Sequence, residues 1–141
     1  MATLADVNPV AEVLSWLQSH SAVLAAVGSS AHITGLAEPP YPHIRIEPGD
    51  GGDNGDFTWI INPELLISTL GDVDGTPGQS ALRRIHHVVL AACVELPRRV
   101  HVPGQTVISR VTTTSGTHAL RTPLGARGWV SSVALSCHPA L

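Results

Sequence analysis

Lysine is absent from these 141 residues, so all eight basic side chains are arginines. The absence reads as genome composition and not as chemistry. Cysteine is nearly absent too: Cys93 and Cys137 are too few for a disulfide scaffold, and free thiols are the expectation. Aromatic residues make up 4% of the chain, which leaves little to stack on nucleic-acid bases. No stretch offers about twenty consecutive apolar residues, the length a membrane-spanning helix needs, so no membrane contact is expected. The first residues carry Asp6 and Glu12 and no basic side chain, unlike the start of a secretory signal.

What is present describes a folded globule. The hydrophobic fraction is 43% and the mean hydropathy +0.20, above the range of disordered chains. Residues 1–141 read as one domain with no internal repeat and no linker. Charge is informative by position. Residues 1–70 carry eight acidic side chains against Arg45 alone, a balance of −7; residues 71–141 carry seven arginines against Asp72, Asp74 and Glu95, a balance of +4. Either the halves neutralise each other within one fold, or one copy docks head-to-tail on the next, which closes a ring when the rotation allows.

The local signals alternate. Asn8 caps a first helix, with Pro9 at its first position, where a missing N–H costs nothing. Val10, Val13, Leu14 and Leu17 form its apolar face. His20-Ser21 breaks it, Ser21 caps a second piece over 22–27, and Gly28 ends that piece. A short strand is expected over 31–36, then a proline-rich turn over 38–42. His43 to Glu47 alternates as a half-buried strand with Ile44 and Ile46 inward. Residues 48–56, with four glycines and three aspartates, read as a solvated acidic loop. Residues 57–70 return to strand character, bent at Pro63. Thr76-Pro77-Gly78-Gln79 has capping-box spacing before a helix whose stripe runs from Ala81 through Leu82, Ile85, Val88, Val89, Ala92 and Cys93 to Leu96, stopped by Pro97. Strands over 106–114 and 129–136 close the chain, joined by a long hairpin arm over 115–128. The expected fold class is α+β: a mostly antiparallel sheet of four to five strands with two main helices packed on one face.

No catalytic signature appears. Eight histidines invite a metal reading, but His43, His86, His87, His101, His138 and Cys93 lack ligand spacing, and His86 and His87, being adjacent, point about 100° apart on a helix. The 50–56 loop lacks the register and the closing glutamate of a calcium loop. There is no G-x-S-x-G, no phosphate-binding loop and no dinucleotide fingerprint. Arg98, Arg99, Arg110, Arg121 and Arg127 could line a basic stripe, yet a pI of about 6.2 lacks the excess positive charge of nucleic-acid binders. These arginines fit better as partners for the acidic half of an adjacent copy, and Asp50, Asp53 and Asp56 are candidate interface residues on that half. No cofactor is expected, and no enzymatic activity.

In order and pattern the chain resembles the tail terminator (tail-completion) proteins of long-tailed bacteriophages, especially those infecting actinobacteria. The resemblance rests on the opening helix from Val10 to Leu17, the Ala22–Gly28 piece, the Pro40–Ile46 strand, the aspartate-rich loop and the Ala81–Leu96 helix. It implies a ring, homohexameric in that family, that caps the completed tail tube, ends its polymerisation and joins the tail to the head connector. The implied partners are the chain itself, the tail tube protein and the connector, with genomic DNA passing through the lumen without specific binding. The implied location is the head–tail junction of the virion, and the host cytoplasm during assembly. The resemblance carries over no reactive residue. Long loops make subunit contacts in such rings, which on this chain are 48–56 and 115–128. The competing readings are another head–tail connector or minor tail component, a small histidine-rich metal-dependent enzyme, and a monomeric ligand-binding module.

Overall fold

The first helix, α1 (Pro9–Ser19), starts as its sequence dictates: Asn8 Oδ1 accepts the Ala11 N–H at 3.2 Å, with Pro9 at the first position. In this computed structural model, residues 3–100, 106–121, 123 and 125–139 are described. The remaining elements are α2 (Ser21–Val27), β1 (Ile33–Thr34), β2 (His43–Gly55), β3 (Ile61–Leu70), α3 (Gln79–Val94), β4 (Val107–Arg121) and β5 (Arg127–His138), with short 3-10 turns at Leu4–Asp6, Ser30–His32 and Leu96–Arg98. The five strands form one sheet in the order β1-β2-β3-β5-β4. Among the described residues only β1 and β2 run parallel; the other pairs are antiparallel. The α+β class and the mostly antiparallel sheet match the expectation.

Register decides which side chains meet the helices, because strand residues alternate between faces. Ile44 and Ile46 of β2 lie opposite Thr69 and Ile67 of β3, and Ile67 and Leu65 lie opposite Ser131 and Val133 of β5. With Ile108, Leu135 and Cys137 they form the inner face, on which Val13 and Leu17 of α1, Val23 and Val27 of α2, and Val89, Ala92 and Cys93 of α3 pack. Each fully buried Leu, Ile or Val contributes roughly 1.5–3 kcal/mol by leaving water. The opposite face carries Arg45 and Glu47, ion-paired at 3.2 Å, with Ser68 and Ser132 in neighbouring strands. Among the described residues no single helix is long and apolar enough to cross a membrane. Trp16 and Trp129 are half-buried and tied to α3, their indole N–H groups donating to Ala92 O at 2.8 Å and Gln79 O at 2.9 Å.

Three local expectations need correction. The residue before α2 is His20, in extended conformation and making no side-chain cap, so Ser21 is already inside the helix; Gly28, at φ +106°, ends it as expected. No capping box precedes α3. Thr76 Oγ1 donates to Asp74 Oδ1 at 2.6 Å, Gln79 Nε2 donates to Gly128 O at 3.0 Å, and Gly78 is the cap. A local partner takes Thr76 and a distant one takes Gln79, so the motif does not form. The strand expected over 31–36 shrinks to Ile33–Thr34, because a 3-10 turn occupies Ser30–His32.

Candidate assembly surfaces

The acidic segment is not a loose loop. Backbone pairing carries β2 through it: after a bulge between Pro48 and Asp53, residues Asp53, Asn54 and Gly55 lie opposite Pro63, Asn62 and Ile61. Glu64 lies across the bulge and accepts the Gly51 N–H at 3.1 Å. A Cβ on Gly49 or Gly51 would stand 2.8 Å or 2.6 Å from the Glu64 carboxylate, so a side chain at either position would push Glu64 out of its place across the bulge. Order here comes from hydrogen bonds, which is why low hydrophobicity misled the sequence reading. Asp50, Asp53 and Asp56 are all exposed.

Asp56 builds the tip. Its Oδ1 accepts the N–H groups of Thr58, Trp59 and Ile60 at 3.0, 3.1 and 3.0 Å. These bonds hold its carboxyl down at about 2. The turn forces Phe57 to φ +56°, where a bulky side chain costs about 1–2 kcal/mol. It also presents apolar surface to solvent: Phe57 is 61% exposed, Ile60 40% and Trp59 37%. Trp59 stacks on His138 with ring centroids 5.3 Å apart.

The five candidate arginines do not form one stripe. Arg99 is turned inward, its side chain 7% exposed, with Nη2 3.0 Å from Glu12 Oε2; it also donates to Thr106 O at 2.7 Å, while the Thr106 N–H reaches Glu12 Oε1 at 3.3 Å. Its charge is matched within its own chain. Arg98, exposed, borders a shallow cavity of about 320 Å³ with Trp16, Glu95 and Arg99. Arg110 is exposed on the edge strand β4, opposite Ser136. These three lie near the end of the sheet that carries the acidic tip. Arg121 and Arg127 face each other at the opposite end, where β4 turns into β5. The β4–β5 arm is a hairpin as expected, but paired strand covers most of it.

A groove between α2 and α3 was missed. Ala26, Ala81, Ile85 and Val88, with Arg84 on the wall, line a cavity of about 280 Å³. The α3 stripe is wider than the sheet requires: Leu82, His86, Val89 and Cys93 are buried, leaving Ala81, Ile85 and Val88 along the groove. That excess width was the available signal. Arg83, on the other flank of α3, lies over the Trp129 ring at 5.9 Å.

Four of the candidate reactive groups, His43, His86, Cys93 and Cys137, are internal, whereas His87 is exposed and His138 half-buried. His86 is fully buried and bridges the hydroxyls of Thr69 and Ser131 at 2.8 and 2.9 Å. Burial, with a smaller contribution from His87, lowers its pKa to about 4. His43, also buried, meets Thr34 Oγ1 at 2.8 Å, and burial lowers its pKa as well. Burial pushes the Cys93 and Cys137 thiols up to about 12, the range of unreactive thiols. Among the described residues no three His, Cys, Asp or Glu side chains converge as metal ligands; His101 lies outside those residues.

Comparison with known proteins bears on the fold. No family model matches the chain, and no curated protein matches it. Among solved structures, a chain from the virion of a native gene transfer agent particle superposes with a TM-score of 0.62 at 18% identity, over 92% of this chain and 98% of that one. The two chains share a fold. The likeness extends over nearly the full length of both.

Proposed function

We propose that this chain is a structural subunit of a virion: the tail terminator, which forms a ring, homohexameric, on the end of the tail tube. The ring ends tube polymerisation and joins the tail to the head connector, with DNA passing through its lumen without specific binding. The chain would assemble in the host cytoplasm, reside at the head–tail junction, and act by contact and not by catalysis. The observation that carries this reading is the near end-to-end likeness to a chain from the virion of a native gene transfer agent particle. Polarity supports it: an acidic tip with Asp50, Asp53 and Asp56 at one end of the sheet, and Arg121 and Arg127 at the other. Arg98 and Arg110, exposed beside the acidic end, are left for the tube or the connector. The likeness is to one component of a whole particle, which equally supports another head–tail connector or minor tail component as the second reading.

Light scattering on the purified protein, at low and high salt, tests the proposal. The expected species has six times the 14.8 kDa of one chain and loosens as salt screens the charged contacts. Ring-shaped particles with an open centre should appear in electron micrographs. A monomer at every concentration and salt would contradict it.

A further inference from the structure

The hairpin tip offers an exposed phenyl ring flanked by aspartates, the α2–α3 groove an apolar hollow with Arg84 on its wall, and one chain holds them at opposite ends. The tip lies beyond Ile61, at one end of β3; the amino-terminal half of α3 lies over the other end, where Gln79 bonds Gly128 opposite Leu70. Ten residues of β3 put ~30 Å between those ends. We infer that Phe57 of one copy seats in the groove of the next, against Ala26, Ala81, Ile85 and Val88, with Asp53 and Asp56 facing Arg84. This rests on the ring reading and names the contact that joins its subunits.

Four observations converge on a second copy as the occupant. Phe57 is the one non-glycine residue at positive φ among those described, and it is 61% exposed. Three N–H bonds to Asp56 fix the tip, and the Trp59–His138 stack braces its base, so docking immobilises little that is not already ordered. The groove, about 280 Å³ and lined mostly by apolar side chains, has room for a phenyl ring, since a cavity of about 150 Å³ accepts benzene. The tip is acidic, whereas Arg84 on the groove wall, with Arg121 and Arg127, gathers at the far end. Knob and hole on opposite ends of one molecule give a heterologous, head-to-tail contact, the kind that closes into rings. An aromatic anchor rimmed by arginine is also the usual composition of an interface centre.

The test is a Phe57→Cys/Val88→Cys double variant under mild oxidation, beside Phe57→Ser and the wild-type protein in light scattering. Cys93 and Cys137 are buried and do not compete. The expected result is a ladder of covalent multimers from the double variant only, with the Phe57→Ser protein needing at least tenfold higher concentration to assemble. Phe57 is far from the core, so its substitution leaves the fold intact whatever happens at Val88. Wild-type assembly matched by Phe57→Ser, without cross-links, would overturn this contact, leave the ring held by another surface, and assign the groove to a different partner. A wild-type chain that neither assembles nor cross-links would overturn the contact and the ring reading together.

Discussion

The two long hairpins share one sheet, but they differ in how they end. The β2–β3 hairpin turns at the end where Ile61 faces Cys137; the β4–β5 hairpin turns at the other, where Arg121 faces Arg127. The first ends in a tip pinned by one carboxylate, acidic at its flanks and apolar at its point. The second is threonine-rich and bulged, and its turn is flanked by arginines. The sequence is acidic in its first half and basic in its second, but the sheet does not simply keep that division. It leaves Arg98, Arg99 and Arg110 near the acidic end, takes Arg99 inward against Glu12, and leaves Arg121 and Arg127 at the far end with Arg83 close by. Charge separation along a chain becomes polarity of a molecule only after topology has sorted it.

Stability measurements can break or sharpen that contrast. The largest expected effect comes from titration of His86, which lies under the Arg127 end. Its pKa is lowered in the folded state, so the unfolded chain takes up a proton first as the pH drops. Stability should hold above about pH 6.5, decline between 6.5 and 4, and level off below. The loss from this residue is about 3 kcal/mol. Chemical denaturation along that range checks it, and His86→Gln should flatten most of the slope while His43 retains a smaller share in the same direction.

Arginine substitutions come next. Arg99→Ala leaves the Glu12 carboxylate without its partner in a largely buried setting and should cost about 3 kcal/mol in urea denaturation. Arg110→Ala and Arg127→Ala, both exposed, should stay within about 0.5 kcal/mol. Equal costs at all three positions would erase the distinction between an arginine committed internally and arginines left for a neighbour.

The smallest effect concerns the acidic tip alone. The Asp56 carboxyl is held at about 2, so the order it gives is complete above the ordinary carboxylate range and fades as the pH falls through 2. The amide resonances of Thr58, Trp59 and Ile60 should shift together in that window, while core resonances respond to His86 at higher pH. Asp56→Ala should produce the same tip spectrum at neutral pH.

Much of the architecture was legible because it depends on period. Val13 and Leu17 on one helix face, Ile44 and Ile46 on one strand face, and the stripe ending at Leu96 declare their burial without reference to anything distant. The hairpin character of 115–128 followed from its flanking strands. What stayed hidden depends on partners far away in sequence. Gln79 sits at capping-box spacing from Thr76, but Gly128, 49 positions later, claims it. Residues 48–56 lack apolar side chains, yet β3 orders them through its backbone and Glu64. Arg99 reads as a surface charge until Glu12, 87 positions earlier, is placed beside it. The width of the α3 stripe hints at the groove, but its shape requires α2 and α3 side by side.

The central claim is that opposite ends of this molecule join head-to-tail, and mixing two defective variants tests it most directly. Phe57→Ser removes the knob and leaves the groove; Val88→Asp blocks the groove and leaves the knob. Each alone should be monomeric by light scattering, while an equimolar mixture should form a dimer, since one intact knob and one intact groove remain. A mixture that stays monomeric, or single variants that assemble as well as the wild-type protein, would contradict the account.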